Sequence, residues 1–289
     1  KVKSAYLDSS SQPLFRENLS RIFSSFSSAG FLEKMGSLLD GGLRLDSQTF
    51  EKMAILLDKK AVPVLIGLLG YLDTISARRT VVNLLSKVGR SDVAAVTAGL
   101  DDYRWYVVRN TVIALRNIGD KTARDHLIKI FGHGDARVRR EVVKALARTG
   151  GAESFGVFSK ALDDKDQSVR QAALSALSEL GLPQAKELLL DRVKSNAFLS
   201  RDYEEKKDYV LALLGFRGED VRMFIGKMLE RKRFFRQAKN DECKLAMAYG
   251  IGIKGDREYL PYLYKLGDNR NEMLQLAAAE AIRKIEHGH

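Results

Sequence analysis

The sequence contains little cysteine, little proline and few aromatic residues. Its single cysteine excludes a disulfide framework and any zinc or iron–sulfur site built from several cysteines. Four prolines and an aromatic fraction of 8% favour helices over a β-sandwich or barrel. The longest apolar stretch, residues 61–72, is too short to span a bilayer and is interrupted by Pro63 and Gly67. We therefore expect a helical, cytoplasmic protein without a membrane span.

The length and the hydrophobic content set the next limits. A hydrophobic fraction of 45% supports a real core and excludes general disorder. A chain of 289 residues suits two average domains or one elongated array. No secretory signal is visible, and residue 1 is lysine rather than methionine, which leaves open a further domain or a targeting signal before it.

The formal net charge of +11 is unevenly distributed. Residues 102–150 contain 11 Lys or Arg against 5 Asp or Glu, and residues 201–240 contain 11 against 7. A basic chain of this kind suits nucleic acid, an acidic protein or an anionic membrane as partner. An ordinary solvated helical surface with patchy charge is the alternative interpretation, and both stay open at this point.

The sequence repeats with a period near 31 residues. Residues 107–119, 138–150 and 169–181 align directly, and in each segment an Ala-Leu pair precedes a glycine by five and four residues. The glycine register extends in both directions with spacings of 30, 31, 31, 37, 37 and 33 residues. Its members are Gly89, Gly119, Gly150, Gly181, Gly218, Gly255 and Gly288.

Each repeat is predicted to form two helices. The segment before each glycine is apolar at the i, i+3, i+4 and i+7 positions of a helix, and the glycine stands where a C-cap needs a left-handed residue. A second apolar helix follows and ends in an acidic turn. Neither helix can bury its apolar stripe alone, so successive pairs are expected to stack into one continuous core.

The pattern Ala-x-x-x-Leu-x-x-Asp-x-x-x-x-Val-Arg-x-x-Ala-x-x-Ala-Leu-x-x-Leu-Gly resembles HEAT repeats. It is most similar to the short bacterial HEAT-like type, which includes the PBS-lyase HEAT-like repeats. The resemblance covers residues 61–288 and is clearest in 101–190. It implies an all-α fold, an α-solenoid with about seven HEAT-like two-helix repeats in a right-handed superhelix over residues 61–289. Residues 1–60 would form an N-terminal helical cap or the tail of a preceding domain.

A basic column runs through the repeats. A cation stands ten or eleven residues before each register glycine except the last, and these cations are Arg78, Arg79, Arg109, Arg139, Arg140, Arg170, Lys207 and Lys244. Equivalent positions in stacked repeats fall in a line, so the column predicts a ladder of positive charge. Two roles are open for it. The arginines hold neighbouring repeats in register through the adjacent turns, or they form a stripe that binds an acidic segment or a phosphate backbone.

Two further clusters combine cations with aromatic rings. Trp105 and Tyr106 precede Arg109 in the most basic window. If they are exposed, these residue types are typical of a binding hot spot. If they are buried, their rings would fill the groove between two repeats. The stretch 231–236 reads Arg-Lys-Arg-Phe-Phe-Arg. It suits contact with phosphates, bases or an anionic membrane, or else a long turn whose phenylalanines pack inward.

Signatures of an enzyme are poor. The four histidines form no ligand cluster, Cys243 is expected in the core, and no Gly-rich phosphate loop or GxSxG motif occurs. HEAT-like alkylpurine DNA glycosylases share the architecture and place a Trp and an Asp near the lesion. One helical turn after Trp105, however, this chain has Arg109, and Asp102 lies in the turn before it. HEAT-like phycobilin lyases share only the fold.

The sequence therefore predicts a non-catalytic scaffold that binds an acidic or extended protein segment on a concave basic face. A nucleic-acid-binding, glycosylase-like protein is the alternative. No cofactor and no metal are expected, and the oligomeric state is not predicted. The candidate partner-binding residues are Arg79, Trp105, Tyr106, Arg109, Arg139, Arg140, Arg170, Arg231, Arg233 and Arg236.

Overall fold

The structure, a computed structural model, describes residues 21–22, 24–231 and 237–287. In these ranges all regular secondary structure is helical, and short 3₁₀ turns join several of the helices. The helices are α1 Ala29–Asp40, α2 Ser47–Leu56, α3 Ala61–Leu68, α4 Ile75–Val88, α5 Val93–Thr97, α6 Trp105–Ile118, α7 Arg124–Ile130, α8 Ala136–Thr149, α9 Phe155–Ala161, α10 Gln167–Leu180, α11 Pro183–Lys194, α12 Asn196–Ser200, α13 Tyr203–Leu213, α14 Glu219–Glu230, α15 Gln237–Lys254, α16 Leu260–Gly267 and α17 Glu272–His287.

Packing divides the chain into two compact units, Lys1–Gly150 and Gly151–His289. The predicted division into a cap of residues 1–60 and an array of residues 61–289 is based on where the repeats begin, whereas these units are defined by contacts. The predicted division therefore stays a prediction.

The first unit is built from consecutive helix pairs. In each pair a short first helix packs against a longer second helix, and the second helices α4, α6 and α8 lie side by side in chain order. Their apolar stripes are buried, as at Val81, Leu115 and Leu146. The helix α1 packs against α3 and α4, and the Asp40 carboxylate at its end accepts hydrogen bonds from the backbone of residues 73 and 74. The residues before the first pair are thus joined to it by both apolar and polar contacts.

The second unit repeats the same arrangement. Its second helices α10, α13, α15 and α17 pack each against the next, and α9, α11, α14 and α16 are the corresponding first helices. The extra helix α12 is inserted between α11 and α13. Over the described residues the chain thus contains seven two-helix repeats. The all-α helical-repeat solenoid predicted from the sequence is confirmed, while the handedness of the superhelix stays a prediction.

Capping residues set the ends of the second helices. The side chains of Thr74, Asp135 and Asp166 each accept a backbone N–H in the first turn of the helix that follows. At the opposite ends, Gly119 and Gly181 have the left-handed backbone expected of a glycine C-cap, with φ values of 75° and 63°.

The glycine register is less uniform than the sequence suggests. The backbones of Gly89 and Gly150 have right-handed helical conformations, and Gly218 precedes α14 as its N-cap. The placement of Gly218 at the end of a second helix was wrong, because α13 already ends at Leu213. The last register glycine, Gly288, lies outside the described residues.

Candidate partner-binding face

The three second helices of the first unit have almost no negative charge. Together they contain ten Lys or Arg but a single carboxylate, that of Glu141. The ten cations are Arg78, Arg79, Lys87, Arg109, Arg116, Arg137, Arg139, Arg140, Lys144 and Arg148. Because these helices are neighbours, their charges combine into one field.

The second helices of the second unit are different. They contain eight Lys or Arg against nine Asp or Glu. The uneven charge of the protein is therefore a property of one row of helices and not of second helices in general.

The cations of the basic column fall into two groups. The inner column stands eleven residues before each register glycine, and the outer column, which consists of Arg79, Arg109 and Arg140, stands ten residues before it. In the inner column, Arg78 donates to the carbonyl of Asp73, and Arg139 donates to the carbonyls of His133 and Gly134. Arg170 makes the same kind of bond to the carbonyl of Asp164. These guanidinium groups satisfy the turn before their own helix, which is the structural role considered above.

The outer column faces solvent. Arg79 is exposed and has no hydrogen bond or ion pair with any described residue, whereas Arg109 and Arg140 are about one-third exposed. Further cations lie on the same side of α6 and α8. We call the whole set the basic face, and it consists of Arg79, Arg109, Arg116, Arg140, Lys144 and Arg148.

Glu141 lies at the centre of the basic face and is almost fully buried, with 4% of its surface exposed. Its Oε2 lies 2.6 Å from Nη1 of Arg116. Its Oε1 has three cationic neighbours, Nη2 of Arg140 at 3.5 Å, Nζ of Lys144 at 3.9 Å and Nη2 of Arg109 at 4.0 Å. One buried carboxylate thus holds four cations together and neutralises a single charge.

Trp105 is half-buried between two successive repeats. The guanidinium group of Arg137 lies 3.3 Å from the centre of its ring, and the ring of Tyr106 meets it edge to face. Arg137 is held in turn by two hydrogen bonds to the carboxylate of Asp135. These bonds lower the pKa of Asp135 to about 2 against the opposing effect of burial. The ring therefore belongs to the packing between repeats.

The inner column has Val108 in place of an arginine, and in this repeat Arg104 binds the turn before α6. It donates to both oxygens of Asp102 and to the carbonyl of Gly70, and its hydrogen bonds hold the pKa of Asp102 below the ordinary value. Its guanidinium group also lies near the rings of Tyr71 and Tyr103, at 5.5 and 5.2 Å from their centres. Both rings are open to solvent, with 77% and 90% of their surface exposed.

The geometry of stacked helix pairs with capped turns agrees with a comparison of the sequence with known families. The family model of HEAT repeats matches residues 93–155 and 125–205. Residues 93–205 therefore carry HEAT repeats. The resemblance seen in the sequence is thereby confirmed. Among curated proteins, none matches the chain.

Three solved structures are similar to this chain. Human deoxyhypusine hydroxylase is 14% identical over 94% of this chain and 96% of that chain, with a TM-score of 0.35. The CpcE–CpcF complex of phycocyanin lyase from a Nostoc species is 20% identical over 88% and 94%, with a TM-score of 0.38. An engineered protein is 17% identical over 97% and 77%, with a TM-score of 0.41. These values give no ground for carrying the activity of either natural protein over to this chain.

In the second unit, one predicted site residue is engaged in an ion pair, one is exposed, and two lie outside the described residues. Arg170 forms two hydrogen bonds to the carboxylate of Glu205, at 2.6 and 3.1 Å, and Arg201 contacts the same carboxylate. Arg231 is exposed, and its guanidinium group approaches the sulfur of Met228. Arg233 and Arg236 lie outside the described residues, so Arg231 is the one member of the basic stretch 231–236 that the structure describes.

Sequence reasoning missed Glu141 and the three other cations that share its side of the helices, Arg116, Lys144 and Arg148. The signal was present in the sequence, because counting charges along the second helices of the first unit reveals ten cations to one carboxylate. Counting over fixed windows mixed these helices with the acidic turns between them and hid the contrast.

The described residues contain neither a metal-ligand cluster nor a membrane-spanning helix. Within 24–231 and 237–287, no group of three or more His, Cys, Asp or Glu is arranged to hold a metal ion. No helix in the part of the chain that the structure describes is long and apolar enough to cross a bilayer.

Proposed function

We propose that this HEAT-repeat protein is a non-catalytic scaffold that binds an acidic or extended protein segment on its basic face. HEAT repeats generally mediate protein interactions, which gives the class of function. The observation that carries the proposal is the ratio of ten cations to one buried carboxylate on three neighbouring helices. A surface of one sign attracts partners of the opposite sign and orients them on approach.

The inner column limits which residues take part. Arg78, Arg139 and Arg170 have donors committed to turn carbonyls, whereas no turn carbonyl among the described residues accepts a hydrogen bond from Arg79, Arg109 or Arg140. The outer column therefore supplies the contacts to a partner, and the inner column supports the helices that present it.

The test is fluorescence anisotropy of a labelled acidic peptide titrated with the full chain. Reversing two charges on the basic face, with Arg109→Glu and Arg140→Glu, is expected to weaken binding at least tenfold, since two attractive contacts become repulsive. The matched control is Lys227→Glu with Arg257→Glu, two exposed cations of the second unit. Unchanged affinity in the folded basic-face variant would overturn the proposal.

Nucleic acid is the second candidate partner, and the exposed rings of Tyr71 and Tyr103 favour it. Rings beside a basic surface provide stacking platforms for unpaired bases. A labelled DNA duplex and a labelled single strand are therefore titrated alongside the peptide over a salt series. Tight binding that falls steeply with salt would favour nucleic acid, because phosphate contacts release counterions.

A further inference from the structure

The cluster around Glu141 consists of Glu141, Arg109, Arg116, Arg140 and Lys144, and it has more positive charge than its carboxylate can balance. Four cations lie within 4.0 Å of the two carboxylate oxygens, and three of them crowd the same oxygen. Only the contact with Arg116, at 2.6 Å, is a short one. The remaining three cations repel one another and have N–H donors that Glu141 does not use.

One of these donors is buried and has no acceptor. The Nε of Arg140 is shielded from solvent and has no hydrogen-bond partner among the described residues. A buried donor without an acceptor destabilises the structure that contains it. The Arg140 side chain as a whole is 31% exposed, so part of it faces solvent although Nε itself is shielded.

We propose that the Glu141 cluster binds a phosphate dianion, carried as a phosphorylated residue by the acidic segment that docks on the basic face. This inference rests on the proposed function. A phosphate monoester has close to two negative charges at neutral pH and three acceptor oxygens. It would therefore balance most of the excess charge of the cluster and give acceptors to several guanidinium donors at once.

The arrangement of the cluster suits phosphate better than a second carboxylate. Arg109 belongs to α6 and Arg140 to α8, and both approach the same oxygen of Glu141. Planar guanidinium groups bind phosphate oxygens through paired N–H donors, and two such groups from adjacent helices can contact different oxygens of one phosphate. A carboxylate has one charge and two oxygens, so it would leave more of the cluster unbalanced.

The first test compares three peptides of one acidic sequence that differ at a central residue, which is serine, glutamate or phosphoserine. The phosphoserine peptide is expected to bind the full chain about tenfold more tightly than the glutamate peptide. This gain in affinity is expected to disappear in Arg109→Gln and in Arg140→Gln. It is expected to shrink in Arg140→Lys, which retains the charge but loses the paired N–H donors of the guanidinium group. Lys227→Gln is the control that retains the gain.

Free inorganic phosphate has the same chemistry and forms the second arm. Thermal unfolding is followed against phosphate concentration at constant ionic strength, for the wild type and the same variants. A rise in Tm that depends on Arg109 and Arg140 supports the site, because a ligand that binds only the folded state stabilises it. A response equal to that of a chloride salt at the same ionic strength in the wild type would contradict it.

The outcomes separate the two proposals. Equal affinity for the glutamate and phosphoserine peptides overturns the phosphate site and leaves the scaffold proposal standing. If no peptide binds, the scaffold proposal fails. A phosphate-dependent Tm shift that needs Arg109 and Arg140 would then identify free phosphate as the ligand, and its absence would overturn the site as well.

Discussion

At the scale of the residue, the main finding is that neighbouring arginines of one sequence column have different environments. Arg139 is buried against the turn before its helix, whereas Arg140, the next residue, lies on the basic face beside Glu141. The sequence predicted a cation at this position of the repeat, ten or eleven residues before the register glycine. It could not separate the two roles, because consecutive residues of a helix differ by about 100° in direction and only the packed structure shows which direction is covered.

The pairing of Asp135 with Arg137 leads to a prediction about pH. The pKa of Asp135 is lowered to about 2, so its charge stabilises the folded state above its ordinary pKa of 3.8, and this stabilisation is lost as the pH falls towards 2. Asp135→Asn retains the N-cap but loses the ion pair, and is expected to lower the free energy of unfolding by roughly 0.5–1 kcal/mol at pH 7. The deficit should shrink between about pH 4 and pH 2.

Urea unfolding at several pH values measures this deficit. Trp105 is the only tryptophan, so its emission also reports whether Arg137 still covers the ring. Asp166→Asn is the control. That N-cap aspartate accepts hydrogen bonds from Ser168, and no arginine among the described residues forms paired hydrogen bonds with it. A deficit that does not change with pH would show that the ion pair contributes no stability.

At the scale of the element, the helices could be predicted from the sequence and one of their ends could not. The apolar period and the glycines predicted the helix pairs, and Gly119, Gly181 and Gly255 end helices in the left-handed conformation as expected. Gly218 does not end a second helix, because the insertion around α12 moves the register and α13 ends at Leu213. Periodicity does not show where an insertion is accommodated.

The left-handed C-cap of α6 gives a second prediction. Gly119 has a φ of 75°, where a Cβ atom is unfavourable, so Gly119→Ala is expected to lower the free energy of unfolding by about 1 kcal/mol. Gly132→Ala is the matched control, since Gly132 lies in a nearby turn without a positive φ and with open space around its α-carbon. Urea denaturation of both variants is the measurement, and an equal loss in the two would contradict the role of the cap.

At the scale of the whole molecule, the net charge of +11 is known from the sequence but its location on a surface is not. The two windows with excess charge differ in the structure. In residues 102–150 the cations of α6 and α8 lie on neighbouring helices around a single buried carboxylate. In residues 201–240 the cations on second helices are matched by carboxylates, as Lys207 is by Glu204 at 2.8 Å. The charges of each helix can be counted in the sequence, but the packing shows that α6 and α8 are neighbours and that their cations share one carboxylate.

The most direct test of the account maps where an acidic segment lies on the protein. An acidic peptide with a photoreactive side chain is bound to the full chain, irradiated, and its cross-links are located by mass spectrometry. We predict cross-links in α6 and α8, Trp105–Ile118 and Ala136–Thr149, whose exposed cations form most of the basic face. Cross-links concentrated on the second helices of the other unit, Tyr203–Leu213 and Gln237–Lys254, would contradict the account.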